Sequence, residues 1–169
     1  MHHLTCDFKY NYGFTSRFVM VVYRLGNWAY YSIKIPIVKH IILLCYVILN
    51  NIAKLISCST IPARCHIGSG LRLEHDGNGV VIHTSAIIGK NVRMFQQVTI
   101  GANDPYEGQE RYGAPCIGDN VFIGAGAKII GPVNVGEGAK IGANAVVVTD
   151  IPKGATAAGV PAKIIKKDD

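Results

Sequence analysis

Apolar residues recur every six positions through the second part of the chain, and this period constrains the fold more than any other feature. The series runs through Ile82, Ile88, Met94 and Ile100 and continues through Ile117, Ile123, Ile129, Val135, Ile141 and Val147. A small or branched apolar residue follows most members four positions later, as Ala86 follows Ile82. A hexapeptide period is typical of a parallel β-helix, in which three hexapeptides form one triangular coil of about 18 residues.

The corners of such coils explain the glycine content of the chain. Nineteen of the 169 residues are glycine, which exceeds the average usage of roughly 7%. Each corner must turn sharply while it stacks on the corner of the next coil, and residues that adopt positive φ fit there. The residues at matching repeat positions are Asn91, Asn120, Asn144, Gly126 and Gly138.

The predicted fold is mainly β, a parallel β-helix of hexapeptide repeats with a short N-terminal α-helical region. About thirteen hexapeptides lie between residues 61 and 151, which predicts a little over four coils. β-helices of this kind are typically left-handed, an exception to the right-handed crossover rule, although the period itself does not show the hand. We expect residues 1–59 to form the helical region and residues 60–169 to form the β-helix domain.

The N-terminal region is apolar and basic. Residues 18–56 predict two helices with a break near Pro36, because proline ends or kinks a helix. The second helix is apolar nearly all round, so it must be buried in protein or in lipid. Its unbroken apolar run, residues 41–49, is shorter than the roughly 20 residues of a spanning helix. Two alternatives stay open: an oligomer-forming helical cap, or an interfacial helix at the membrane.

Charge follows the same division of the chain. Between residues 8 and 73 there are eight basic residues and no acidic one, whereas residues 74–169 carry nine basic and ten acidic residues. The net charge of +6 therefore belongs to the apolar region. We expect no nucleic-acid partner, because the β-helix is nearly neutral and lacks an aromatic and basic motif. The cationic helices instead favour peripheral contact with anionic lipid.

The other compositional signals point to the cytoplasm. The five cysteines form no CxxC pair, and their odd number argues against a complete disulfide framework and for a reducing compartment. The first ten residues lack the features of a signal peptide in the right order. We expect the protein in the cytoplasm, with the inner face of the cytoplasmic membrane as the alternative site.

The candidate site lies where the repeat loses its phase. Leu73 and Ile82 are nine residues apart instead of six, and Ile100 and Ile117 are seventeen apart, which predicts a protruding loop at residues 102–115. The first break contains His75 between Glu74 and Asp76. Histidine is the usual general base near neutral pH, and an adjacent carboxylate orients its ring. His66 and His83 lie in ordinary repeats, and we interpret both as structural or surface residues.

Four stretches of the chain resemble one known family. They are LEHDGNGVVIHTSAIIG, FQQVTIG, IGDNVFIGAGAKIIGPVNVGEGAKIGANAVV and IPKGATAAGVPAKII. From Ile61 onward the chain resembles the serine acetyltransferase group of left-handed β-helix acyltransferases. The resemblance implies an O-acetyltransferase that uses acetyl-CoA and no metal, and that assembles as a homotrimer or a dimer of trimers with each active site between adjacent β-helices.

The resemblance also assigns roles to particular residues. His75 takes the place of the catalytic histidine, with Glu74 beside it. Asp76, Arg111 and Tyr112 fall where the acceptor binds. Main-chain groups at Ala102, Ala125 and Ala143 match positions that line the acetyl-CoA groove, and Lys163 is suited to a CoA phosphate.

Several departures from the family pattern concern the acceptor. Thr60 stands where serine-specific members have an aspartate that pairs with the histidine. Tyr112 follows Arg111 where those members have a histidine, Glu74 replaces an aspartate, and the helical region is much shorter than in those members. We therefore favour a sugar hydroxyl of a surface polysaccharide or its precursor as the acceptor.

Three alternatives complete the sequence-based expectations. The first is a serine O-acetyltransferase of cysteine biosynthesis, and the second is a non-catalytic β-helix scaffold. A metal enzyme on the same fold needs three convergent histidines, and no histidine follows His83. We therefore expect no metal site.

Overall fold

The computed structural model describes residues 2–103 and 113–166, and it begins with three helices. They are α1 (His2–Tyr10), α2 (Phe14–Ser32) and α3 (Pro36–Ser57). Pro36 occupies the first turn of α3, where its missing N–H costs nothing. The break predicted near Pro36 is thus the α2–α3 connection, whereas α1 was not predicted at all.

The rest of the described chain consists of short strands that stack into three sheets. The strands are β1 (His66–Ile67), β2 (Arg72–Leu73), β3 (Val81–Ile82), β4 (Ile87–Ile88), β5 (Arg93–Met94), β6 (Thr99–Gly101), β7 (Cys116–Ile117), β8 (Phe122–Ile123), β9 (Lys128–Ile130), β10 (Asn134–Val135), β11 (Lys140–Ile141), β12 (Val146–Val147), β13 (Thr156–Ala158) and β14 (Lys163–Lys166). Sheet 1 has the order β1-β4-β7-β10, sheet 2 has β14-β13-β11-β8-β5-β2, and sheet 3 has β12-β9-β6-β3. Successive strands move from one sheet to the next, so the chain winds as a three-sided coil.

The apolar residues that recur every six positions lie on the inward-facing side of these sheets. In sheet 3, Ile82 pairs with Ile100, which pairs with Ile129, which pairs with Val147. All four side chains are buried. Equivalent columns run through the other two sheets, and the core is therefore a stack of matched aliphatic side chains. Among the strands of the described residues, all pairings are parallel except that of β14 with β13.

The corners have the predicted backbone. Asn91, Asn120 and Asn144 have φ of 54°, 58° and 56°, and Gly126 and Gly138 also have positive φ. Gly126 needs the absence of a side chain as well, because a Cβ atom there would lie 2.2 Å from Asn144 Oδ1 of the next coil. The assignment of asparagine and glycine to corners is confirmed.

The helical region covers the open end of the first coil. Tyr23 is buried in α2, and its hydroxyl donates to Cys65 O at 2.9 Å and accepts from Ile67 N at 3.1 Å. Burial raises the pKa of Tyr23 well above its ordinary value and raises that of the Cys65 thiol to about 12. Both groups therefore stay neutral. The Tyr23 hydroxyl takes the place of the strand that a preceding coil would offer to Cys65 O and Ile67 N.

Charged and amide side chains continue this cap. Arg24 donates to Ile67 O at 2.7 Å and to Gly68 O at 2.6 Å, and its Nε lies 2.8 Å from Asp7 Oδ2. Asp7 is fully buried and accepts from Gly70 N at 2.8 Å. Asn11 donates to Leu71 O at 2.8 Å from the segment that follows α1. A buried charge needs such partners, so α1 is held by this polar network rather than by an apolar period.

Tyr23→Phe should lower the free energy of unfolding by about 2 kcal/mol, because it leaves Cys65 O and Ile67 N with one partner fewer in a buried site. Denaturant unfolding followed by circular dichroism measures the change. Tyr31→Phe is the matched control, since the Tyr31 hydroxyl also donates to a backbone carbonyl, Arg64 O at 2.8 Å, but is exposed. Equal effects of the two substitutions would contradict the cap.

Candidate active site

The first phase break forms a tight loop at the end of β2. Residues Glu74–Gly77 make a 3₁₀ turn in which His75 has φ 50°, ψ 44° and Asp76 has φ 60°, ψ 16°. Two consecutive non-glycine residues in the left-handed region are uncommon, and such strain is kept only where the surroundings impose it. The contacts of Glu74 and Asp76 show how it is imposed.

Glu74 is held on the β-helix by two arginines. Its Oε1 lies 2.5 Å from Arg72 Nε and 2.6 Å from Arg93 Nε, and β2 and β5 place those two arginines side by side in sheet 2. We expected an adjacent carboxylate to orient the His75 ring. The Glu74 carboxylate instead faces Arg72 and Arg93. Two guanidinium groups in the outward positions of sheet 2 attract the carboxylate more strongly than a neutral imidazole does.

Asp76 is held on the other side by the helical region. Its Oδ1 accepts from Ser16 N at 3.2 Å, in the first turn of α2. It thereby supplies the capping acceptor that Gly13, at the N-cap of α2, lacks. A Cβ atom on Gly13 would lie 1.6 Å from Asp76 Oδ1, so the glycine makes room for the carboxylate.

The remaining backbone of the loop bonds to the end of α3 and to the next coil. Gly79 N donates to Ser57 O at 2.9 Å, and Ser59 Oγ donates to Gly77 O at 2.5 Å. Gln97 N donates to Asn78 O at 2.8 Å. The C-terminal end of the loop is thus fixed by three hydrogen bonds to its backbone.

The imidazole of His75 projects into solvent beside an aromatic and cationic surface. His75 is exposed, and its ring centroid lies 5.9 Å from that of Phe95. Phe95 in turn packs against Phe122, and the Arg93 guanidinium lies 5.2 Å and 5.7 Å from the centroids of the two rings. An imidazole in this position is accessible from solvent. The charged groups around it are the carboxylates of Glu74 and Asp76 and the guanidinium groups of Arg72 and Arg93.

Two of the predicted donor-groove residues lie on the same edge of the prism as the His75 loop. Backbone hydrogen bonds connect this edge from coil to coil: Gly126 N donates to Gln96 O at 2.9 Å, and Asn144 N donates to Ala125 O at 2.8 Å. Ala125 and Ala143 therefore follow the loop along one edge, about 14 Å over three coil spacings. A long, narrow ligand has continuous backbone beside it here.

The other predicted site residues lie at the far end of this edge, on another edge, or outside the described residues. Ala102 follows β6, and so it lies on the neighbouring edge, across sheet 3. Lys163 begins β14 and pairs with Ala158 at the end of β13, so it lies at the far end of the edge of Ala125 and Ala143, five strand spacings from β2, about 24 Å. Thr60 pairs with Val81 at the start of the β-helix. Arg111 and Tyr112 lie outside the described residues.

The second phase break also falls at a corner. Asn103 and Gly113 form an antiparallel bridge at the base of the loop, where Gly113 N donates to Asn103 Oδ1 at 2.9 Å. Strand β6 of sheet 3 precedes the bridge, and strand β7 of sheet 1 follows it.

Sequence reasoning missed the partners of Glu74 and the aromatic surface, Phe95 with Phe122, that lies beside His75. Arg72, Arg93 and Phe122 are consecutive outward residues of sheet 2, each paired with the next. Their positions follow from the period once the three inserted residues are counted. Alignment of the outward-facing residues of adjacent coils would have placed Arg72, Arg93 and Phe122 side by side.

Comparison with known proteins defines the class first. Residues 117–149 match the bacterial transferase hexapeptide family, with its six repeats. A serine acetyltransferase from Vibrio cholerae superposes with a TM-score of 0.79 and 29% identity, over 99% of this chain and 66% of that one. The fold is thus the left-handed parallel β-helix of hexapeptide transferases.

A closer relationship fixes the family. The serine acetyltransferase of Helicobacter pylori is 42% identical over 120 residues, which are 71% of this chain and 68% of that protein. The chain therefore belongs to the serine acetyltransferase family of O-acetyltransferases, acyltransferases that take the acetyl group from acetyl-CoA. A solved serine acetyltransferase in complex with CoA is 32% identical, with a TM-score of 0.72. The match covers 91% of this chain but only 58% of the CoA-bound one, so the longer relatives have segments without a counterpart here.

Gly13→Ala tests the contact between Asp76 and α2. We expect it to lower the free energy of unfolding by about 1 kcal/mol, because the new methyl group displaces the carboxylate from the helix N-terminus. In an Asp76→Ala background the same substitution should cost less than about 0.5 kcal/mol. Urea unfolding of the four proteins of this cycle gives both values. Additive effects would show that Gly13 and Asp76 do not interact.

Proposed function

We propose that this chain transfers an acetyl group from acetyl-CoA to an acceptor hydroxyl, with His75 as general base. The observation that carries the proposal is the position of His75. It lies on a strained loop at a phase break, exposed, on the edge that continues through Ala125 and Ala143. The family relationship supports the same chemistry.

The proposed reaction is a direct transfer. His75 takes the proton of the acceptor hydroxyl as its oxygen forms a bond to the thioester carbonyl carbon. The carbon–sulfur bond then breaks, and the proton passes from the imidazole to the departing sulfur of CoA. Glu74 and Asp76 hold the backbone of His75 between the β-helix and α2, so their proposed contribution is to position the base.

The acetyl-CoA is proposed to lie along the edge that starts at the His75 loop. Ala125 and Ala143 offer main-chain groups there. Lys163, at the far end of sheet 2, is suited to a phosphate of CoA. Ala102 on the neighbouring edge would then belong to the site of an adjacent subunit.

A trimer, or a dimer of trimers, completes this proposal. Val81 and Ile87 are apolar, exposed and lie in strands of adjacent sheets, which suits them to contact between β-helices. The loop predicted at residues 102–115 has its base, the Asn103–Gly113 bridge, at the corner beside these sheets, and its Arg111 and Tyr112 are proposed to reach the acceptor in a neighbouring site.

The comparisons favour L-serine as the acceptor. The related proteins are serine acetyltransferases, and none of those we compared supports a sugar acceptor. The Helicobacter pylori relative is about 176 residues long, since 120 residues are 68% of it, so overall length does not separate this chain from proteins of that name.

A sugar hydroxyl on a surface polysaccharide or its precursor is the second candidate, and the charges around His75 favour it. Serine carries an ammonium group that needs a carboxylate. The Glu74 carboxylate is paired with Arg72 and Arg93, and Asp76 bonds to α2. Both carboxylates beside His75 are therefore already engaged, which favours an acceptor without an ammonium group. Precursors of such glycans are carried on lipid at the inner face of the cytoplasmic membrane.

His75→Ala should lower the rate of CoA release from acetyl-CoA by about 10²- to 10⁴-fold, because the reaction loses its base. Thiol release with a chromogenic reagent measures the rate. His83→Ala is the control, since His83 lies in an ordinary repeat, where its Nδ1 only accepts from Ser85 N. Unchanged turnover in the His75 variant would exclude it as the base.

The acceptor is identified by the same assay with L-serine, sugar nucleotides and acetylatable glycan precursors. We expect turnover with serine to exceed that with every sugar by at least about tenfold if the family relationship decides the acceptor. The reverse order would assign the protein to polysaccharide biosynthesis. Absence of release with all acceptors would instead favour the non-catalytic scaffold.

A further inference from the structure

Helix α3 presents an apolar stripe that the rest of the chain leaves uncovered. The stripe consists of Ile37, Ile41, Leu44, Ile48, Ile52 and Leu55, all of them exposed. Their spacing places them within an arc of about 80° on the helix. Leu55 is 82% exposed and Ile37 is 74% exposed. A continuous apolar surface of this length marks a site of interaction in a folded protein.

The opposite side of α3 packs on protein. Ala53 and Ser57 are buried, and the Tyr46 hydroxyl accepts from Ala63 N at 3.1 Å in the first coil. Lys39 Nζ donates to Tyr30 O of α2 at 2.8 Å. By length and composition α3 is able to cross a membrane. Its polar contacts with α2 and the β-helix, however, hold one side out of hydrocarbon, so only the stripe is available to lipid.

Positive charge lies near both ends of the stripe. Lys34 precedes α3 and Lys54 is in its last turn, and both are exposed. No salt bridge to either lysine occurs within the described part of the chain, and no acidic residue exists between residues 8 and 73. If a second copy of this region packed on the stripe, its lysines would lie close to Lys34 and Lys54, and like charges would repel. An anionic lipid surface supplies the missing charge.

We propose that the α3 stripe docks on an anionic membrane, with α3 lying in the interface and Lys34 and Lys54 at the lipid headgroups. The aliphatic side chains enter the boundary between headgroups and acyl chains, which is the binding mode of an interfacial helix.

The docked orientation places the candidate active site behind the C-terminal end of α3. Ser57 ends α3 on its buried side, opposite the stripe, and its carbonyl accepts from Gly79 in the His75 loop. The loop therefore lies one helix diameter, roughly 10–12 Å, from the lipid surface. The meaning of this position for catalysis rests on the proposed function.

Vesicle flotation with the full-length protein tests the docking without any need for activity. The wild type should float with vesicles that contain phosphatidylglycerol and less with vesicles of phosphatidylcholine alone. Ile41→Ser with Leu44→Ser and Ile48→Ser should abolish flotation. Lys34→Gln with Lys54→Gln should weaken partitioning by about thirtyfold, from roughly fivefold per cation.

The matched control is Val148→Ser with Ile165→Ser, which removes exposed apolar side chains from the β-helix domain and should not change flotation. Circular dichroism verifies that each variant folds, and light scattering after gel filtration gives its mass. Absence of flotation of the wild type, or flotation of the α3 triple variant, would overturn the proposal. A smaller assembly for the α3 variant than for the wild type would assign the stripe to a second copy and would overturn it as well.

Discussion

Every coil of the β-helix must place its inward residues beneath those of the next coil, and the rest of the molecule depends on this register. Leu73, Met94 and Ile123 form one such column. An extra residue within a strand would turn the following side chains to the wrong face. Inserted residues are therefore tolerated only at corners, which is where the loop at residues 74–77 leaves the coil and where the Asn103–Gly113 bridge lies. The location of the candidate site is a consequence of the packing of the core.

A second constraint arises because a stack of coils ends in unpaired strands. The first coil exposes backbone N–H and C=O groups that would otherwise pair with another chain. Tyr23, Arg24 and Asn11 bond to these groups, and Asp7 neutralises Arg24 in the same buried place. The helical region thus has a polar side that completes the β-helix, although its composition is predominantly apolar. This side accounts for the few polar residues of α1 and α2 that are buried.

The period predicted the β-helix and its corners because both are local, repeated features of the sequence. Asn91, Asn120 and Asn144 could be assigned to corners for that reason. Helix α1 could not be predicted, since Asp7 is stabilised by Arg24 and by the first coil, which only the folded chain brings together. The same holds for Glu74. Its neighbour in sequence is His75, but the next coil supplies Arg93, and an ion pair outweighs sequence proximity.

The candidate site combines both constraints. The β-helix fixes Glu74 through Arg93, α2 fixes Asp76, and the end of α3 fixes Gly79. Since the left-handed backbone of His75 lies between these anchors, its geometry depends on how the helices sit on the first coil. A displacement of α3 would act on the same loop through the hydrogen bond from Gly79 N to Ser57 O. The helical region is therefore part of the architecture of the site. It connects the exposed apolar stripe of α3 to the loop that holds His75.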